Sequence, residues 1–280
     1  MCIILFGRFV YRHYFCNDNF DIKNMFPKNF LQCLLTLLVA LIVFGTFGAL
    51  LFMKYPQLVP DSILFNIGYN VILGGVSFLI AYFINRRRKI AMSFNFIPKM
   101  SLLTFLWVFV LLSLFVFGNS FLINSFSPFK AVRPNSWLVY VLFFGPIVEE
   151  FMFRGIFLKG LLSNPKYPAA ISIWGISILF ALFHYNVAPQ APLLSNVFSV
   201  SNALILSLFM SWLFYKTMNV GNSIIVHILA NTWILFLKWL FSNFQNQMQA
   251  YNLLFGILGA GLILLSIGCF LLSKNKIKWA

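Results

Sequence analysis

Eight apolar runs, most of them near the ~20 residues that a helix needs to cross ~30 Å of hydrocarbon, occupy most of this chain. They lie at about Cys33–Met53, Leu64–Ile84, Ser101–Phe121, Trp137–Leu162, Ala169–Tyr185, Phe198–Tyr215, Ser223–Trp239 and Leu253–Leu272. In lipid every backbone N–H and C=O must be satisfied within the protein, so only helices and closed barrels can span. No stretch alternates over ~10 residues as a barrel strand does. Composition points the same way: 61% of the 280 residues are hydrophobic and 9% charged, which excludes a water-soluble globule or a disordered chain. The sequence therefore reads as an all-α polytopic membrane protein of about eight transmembrane helices.

Residues 1–32 form a separate N-terminal extension ahead of a single transmembrane domain, 33–280. Met1–Phe6 is apolar, but Arg8 and Arg12 interrupt it, so it is neither a signal-peptide core nor a span. Met25, just before Pro27 and Lys28, would serve as an alternative translation start.

The net charge of +15 would suggest nucleic acid in a soluble protein. Here the cations lie between apolar runs, where lipid headgroups and orientation explain them and a nucleic-acid partner is not needed. Arg8, Arg12, Lys23 and Lys28 precede the first run; Arg86–Lys89 and Lys99 separate the second from the third. Lys159, Lys166, Lys216, Lys274, Lys276 and Lys278 fall on the same side, against Lys54, Lys130 and Arg133 opposite. The positive-inside rule thus places both termini in the cytoplasm. Short loops and the lack of an organelle address point to a bacterial plasma membrane. Cys2, Cys16, Cys33 and Cys269 are scattered, so neither a disulfide framework nor a cysteine metal site is indicated.

The chemistry lies in polar residues that the membrane should exclude. The two glutamates of the chain, Glu149 and Glu150, are adjacent within the fourth run. Two of its three histidines, His184 and His227, fall in the fifth and seventh. An ionisable group in a spanning helix costs roughly 2.5–3.5 kcal/mol on insertion scales and is normally retained for a task. Glu150 and Arg154 stand at i, i+4 and share a helix face, so Arg154 is expected to neutralise Glu150. Glu149, ~100° further round the helix, is then left to act as a base. Pro146 should kink or start the helix, placing both carboxylates near a helix N-terminus and its partial positive charge. Phe180 and His184 share a face of the fifth run, as do His227 and Asn231 of the seventh. A carboxylate, two imidazoles and a carboxamide suit peptide hydrolysis by an activated water, which needs a general base and donors for the oxyanion.

The motifs EExxxR (Glu149, Glu150, Arg154), FxxxH (Phe180, His184) and HxxxN (His227, Asn231), each on its own apolar run, resemble the CPBP family of intramembrane endopeptidases. That family takes in the type II CAAX prenyl endopeptidases and bacterial Abi or bacteriocin-processing proteins. The local run EEFMFRG is similar to the family's EExxFRG form. The resemblance covers about Trp137–Trp239, a catalytic core of four helices. It implies that Glu149 and His184 activate water, that His227 and Asn231 hold the oxyanion, and that Glu150 and Arg154 support the site. It implies a membrane-associated peptide substrate: a prenylated C-terminal peptide, a bacteriocin or pheromone precursor, or a membrane-protein segment. It also suggests a cavity that opens toward the cytoplasm.

Three further readings bear on that assignment. Glu149, His184 and His227 would also suit a three-ligand zinc site, but HExxH is absent and no cysteine lies nearby, which favours metal-free hydrolysis. A transporter or a non-enzymatic bacteriocin-immunity protein would string its polar groups from face to face in two symmetric halves; here they cluster in one half. Finally, full crossings by the fifth to seventh runs would put His184 and His227 at different depths. The expectation is therefore that one crossing is incomplete, with Val187–Val197, which contains Pro189 and Pro192, dipping into the protein.

Overall fold

The structure, a computed structural model, describes residues 25–54, 63–126, 140–185, 193–243 and 252–273. Eight helices fall among them: α1 Phe30–Lys54, α2 Ile63–Arg87, α3 Leu102–Phe126, α4 at 140–162, α5 Ala169–Leu182, α6 Leu193–Thr217, α7 Val220–Asn243 and α8 Asn252–Ser273. No strand occurs among the described residues. Five of these helices are long and apolar enough to cross a membrane, α1, α2, α3, α6 and α7. The chain is an all-α, multi-pass membrane protein whose helices coincide with the eight apolar runs.

Two helices depart from the simple pattern of full crossings. α5 has 14 residues, about 21 Å of helix, too short for ~30 Å of hydrocarbon. α4 is not a plain α-helix: π-helical turns at Tyr140–Phe144 and Phe151–Leu158 flank α-helical Gly145–Glu150, and Lys159–Leu162 closes it. Pro146 is the second residue of the α-helical segment that follows the first π turn, and the helix continues through it despite the missing N–H. The expectation that Glu149 and Glu150 sit at a helix N-terminus is thereby corrected. They lie more than two turns into α4, beyond the reach of the terminal dipole.

The described residues form two compact units. The first comprises those up to Phe94 together with Val148–Leu179. In it α1 packs on α2, and α2 on the π segment of α4. A Cβ on Gly74 of α2 would come within 2.5 Å of Val148 Cγ1, so a larger residue there would displace the Val148 side chain. The clasp at one end of this unit is polar. Asn85, near the end of α2, holds both backbone polar groups of one residue: Phe26 N–H donates to its Oδ1 (2.7 Å), and its Nδ2 donates to Phe26 O (3.0 Å). Met25 N–H donates to Ser163 Oγ (2.9 Å), and Asn164 Nδ2 to Lys28 O (2.7 Å). Pro27 lies against Gly160.

The second unit comprises Asn95–Ile147 and the residues from Phe180 onward. α8 runs antiparallel to α3: Ser266 Oγ donates to Leu111 O (3.0 Å), Gly118 meets Gly259, and Phe121 stacks on Phe255. α7 runs parallel to α3, with Trp233 against Phe109 and Phe117, and Phe241 against Phe121. α6 and α7 form a hairpin linked by Met218 and Asn219, and Ser223 Oγ donates to Met210 O (3.3 Å). Asn222 repeats the device of Asn85: Lys99 N–H donates to its Oδ1 (2.8 Å), and its Nδ2 donates to Lys99 O (3.2 Å). Segment 95–99 is thus strapped to the start of α7, with Asn219 Nδ2 donating to Ile97 O as well.

Polarity is distributed as lipid demands. Apolar side chains such as Leu102, Leu264 and Ile257 face outward, while Asn70, Ser77, Ser177, Ser207, Ser211 and His227 are buried. Without a hydrophobic drive between helices, such interhelical polar contacts and close small-residue crossings help hold a bundle together. Residues 1–24 and 186–192 lie outside the described residues, and with them most of the segment expected to dip inward; 193–197 form the first turn of α6.

Candidate active site

The carboxylates belong to the first unit. Arg154 Nη1 donates to Glu150 Oε1 at 2.8 Å, and both side chains are fully excluded from solvent. Phe153, Ile156 and Phe157 of the same helix are buried as well. The i, i+4 pairing read from the sequence is therefore present, at the junction where α4 passes from α to π winding. Glu149, half-buried, lies within electrostatic reach of Arg154 and of the Tyr69 phenol on α2. Both carboxylates thus lie within electrostatic reach of one guanidinium. The sequence gives no sign that Tyr69 belongs with Glu149, because only the packing of α2 against α4 brings the two near.

The imidazoles belong to the second unit. α5 stops at Leu182, and its last turn tightens to i→i+3 bonding: Phe183 N–H to Phe180 O (3.2 Å), His184 N–H to Ala181 O (3.0 Å), Tyr185 N–H to Leu182 O (3.2 Å). His184 thus stands just beyond the helix. Its Nδ1 lies 3.0 Å from Phe180 O. A carbonyl oxygen can only accept, so Nδ1 is the donor in this contact and Nε2 is the ring nitrogen left for other partners. Ser199 Oγ of α6 donates to His184 O (3.3 Å) and ties the turn down.

Phe180 is buried between the two imidazoles. Its ring centroid is 4.6 Å from that of His184, tilted by 37°, and 5.9 Å from that of His227, edge-on at 69°. His227 is itself buried and Asn231, one turn further along α7, half-buried. The two imidazoles therefore both lie against one phenyl ring. The short α5 permits this: ending after 14 residues, it delivers His184 beside the early part of α6 instead of at a far membrane face. Within neither unit do three His, Cys, Asp or Glu side chains gather as metal ligands among the described residues.

Residues 131–233 match the family model of the type II CAAX prenyl endopeptidases, Rce1-like. That stretch contains Glu149, Glu150, Arg154, Phe180, His184, His227 and Asn231, and leaves α1, α2, α3 and α8 outside. No curated protein and no solved structure matches the chain. The match bears out the resemblance read from the three motifs and supports, at family level, an intramembrane protease.

Proposed function

We propose, starting from that family match, that the chain hydrolyses a peptide bond of a membrane-associated substrate by means of an activated water, with Glu149 as general base. Glu149 takes a proton from water, and His184, through Nε2, orients the same water. Attack on the carbonyl carbon forms the new C–O bond and a tetrahedral oxyanion, to which His227 and the Asn231 carboxamide donate hydrogen bonds. Collapse breaks the C–N bond, and the proton held by Glu149 passes to the leaving nitrogen, giving a carboxylate and an amine. Glu150 and Arg154 neutralise each other and hold α4. The observation that carries most weight is the Nδ1–H bond from His184 to Phe180 O, because it fixes the ring's orientation and leaves Nε2 as the nitrogen available to a water.

The family description makes a prenylated C-terminal peptide the first substrate to try, and a bacteriocin precursor the second. The reaction as written uses no metal. The setting is a bacterial plasma membrane, with both termini cytoplasmic. The test uses purified protein in lipid nanodiscs with a fluorescence-quenched farnesylated CaaX peptide. Glu149→Gln should lower turnover by about 10²–10⁴-fold, the usual worth of a general base, with folding unchanged. Wild-type turnover in that variant sinks the assignment of the base. Turnover that persists in strong chelator supports metal-free hydrolysis, whereas loss with rescue by zinc overturns it.

A further inference from the structure

One buried polar group in the second unit has no role in the chemistry above. Asn202 sits on α6, and its Oδ1 is shielded from solvent with no hydrogen-bond partner among the described residues. Its level in the unit is set by its neighbours. Three residues earlier, Ser199 bonds the backbone of His184 (3.3 Å); eight residues later, Met210 O receives the bond from Ser223 at the start of α7, one turn before His227. Asn202 lies between these two contacts, in the stretch where α6 passes the level of His184, Phe180 and His227. Ser199 and Asn202, at i, i+3, are neighbours on the helix surface.

A buried acceptor left unsatisfied is costly, and an apolar side chain of similar shape would remove the cost. Asparagine is also a poorer helix former than alanine or leucine. Nor does Oδ1 serve the fold by bonding within α6, as the Thr217 hydroxyl does with Leu213 O (2.9 Å). A peptide substrate in a membrane protein has the complementary need. Each of its backbone N–H groups loses water and must find an acceptor, and helix carbonyls are already engaged by their own ladders. We propose that Asn202 is a substrate-positioning residue, its Oδ1 accepting a hydrogen bond from a main-chain N–H of the bound peptide.

This inference rests on the endopeptidase reading, and the experiment separates the two. The full chain in nanodiscs of phosphatidylcholine and phosphatidylglycerol is titrated with a dansyl-farnesylated CaaX peptide and with analogues N-methylated at one amide each, following anisotropy and cleavage. Asn202→Leu should weaken binding and raise KM about tenfold, the worth of one hydrogen bond, with kcat within about twofold. Its thermal midpoint should be unchanged or raised, since an orphan acceptor is removed. One N-methyl position should cost the wild type the same factor and cost Asn202→Leu nothing further. N-methyl losses that add in full to the variant at every position overturn the proposal and assign Oδ1 to a bound water. A lowered thermal midpoint with unchanged affinity overturns it as well, in favour of a structural role. Wild-type protein that binds the peptide without cutting it defeats the endopeptidase reading while the affinities still decide Asn202; protein that neither binds nor cuts defeats both.

Discussion

Arg154 and Phe180 show at the residue scale how a membrane interior prices polar and aromatic groups. The guanidinium is fully excluded from solvent with Glu150 at 2.8 Å, so removing it takes this cation away from a buried carboxylate. Arg154→Ala should cost about 3–5 kcal/mol, read as a lower unfolding midpoint in detergent, and the double variant Glu150→Leu, Arg154→Leu should recover much of that loss. Phe180→Ala should cost about 3–5 kcal/mol as a large-to-small core change and should also lower turnover, since the ring touches both imidazoles. Phe180→Leu, which keeps most of the volume, should retain more of both. The Glu150–Arg154 pairing was legible in the sequence because i, i+4 spacing is a local geometric fact. The role of Phe180 as a wedge between two histidines was not, because spacing within α5 says nothing of where α7 passes.

Helix ends and crossings carry the fold at the element scale, and two of them make opposite predictions for glycine. α2 ends in a Schellman turn: Ile90 N–H bonds Asn85 O (2.9 Å), Lys89 N–H bonds Arg86 O (3.0 Å), and Lys89 has φ 58°. A lysine in that left-handed conformation costs about 1–2 kcal/mol that glycine does not, so exposed Lys89→Gly should raise the unfolding midpoint. Where α3 crosses α8, a Cβ on Gly118 would lie 2.7 Å from Gly259 O and 2.9 Å from Leu262 Cβ. Backbone cannot yield there, and Gly118→Ala should part the helices and lower the midpoint by the 1–3 kcal/mol typical of overpacking. Gly261, also on α8, has nothing within 4 Å, so Gly261→Ala should be neutral or gain up to about 1 kcal/mol from helix propensity. The existence of every helix could be read from hydropathy, whereas the π turns of α4 could not. Hydropathy does not distinguish an i→i+4 ladder from an i→i+5 one, so no apolar period marks them.

The whole molecule was anticipated in outline by its runs of apolar residues. Inside lipid an unsatisfied backbone leaves only the helix open to a chain of this pattern, so hydropathy settles the all-α, multi-pass class, and three spaced motifs point to the family that residues 131–233 match. The orientation inferred from the cations predicts that a cysteine placed at the exposed Ser93 position is labelled by a membrane-impermeant thiol reagent from the cytoplasmic face alone, and labelling from the opposite face would reverse the topology. Depth and adjacency were decided elsewhere. Counting residues along full crossings set His184 and His227 apart, yet they share one phenyl ring, because α5 ends after 14 residues. Hydropathy sums transfer free energies residue by residue along one helix and is blind to its neighbours. The contact of Phe180 with His227, the electrostatic reach of Glu149 to Tyr69 and the hold of Asn85 on the Phe26 backbone depend on packing between segments far apart in the chain, which only the tertiary structure contains.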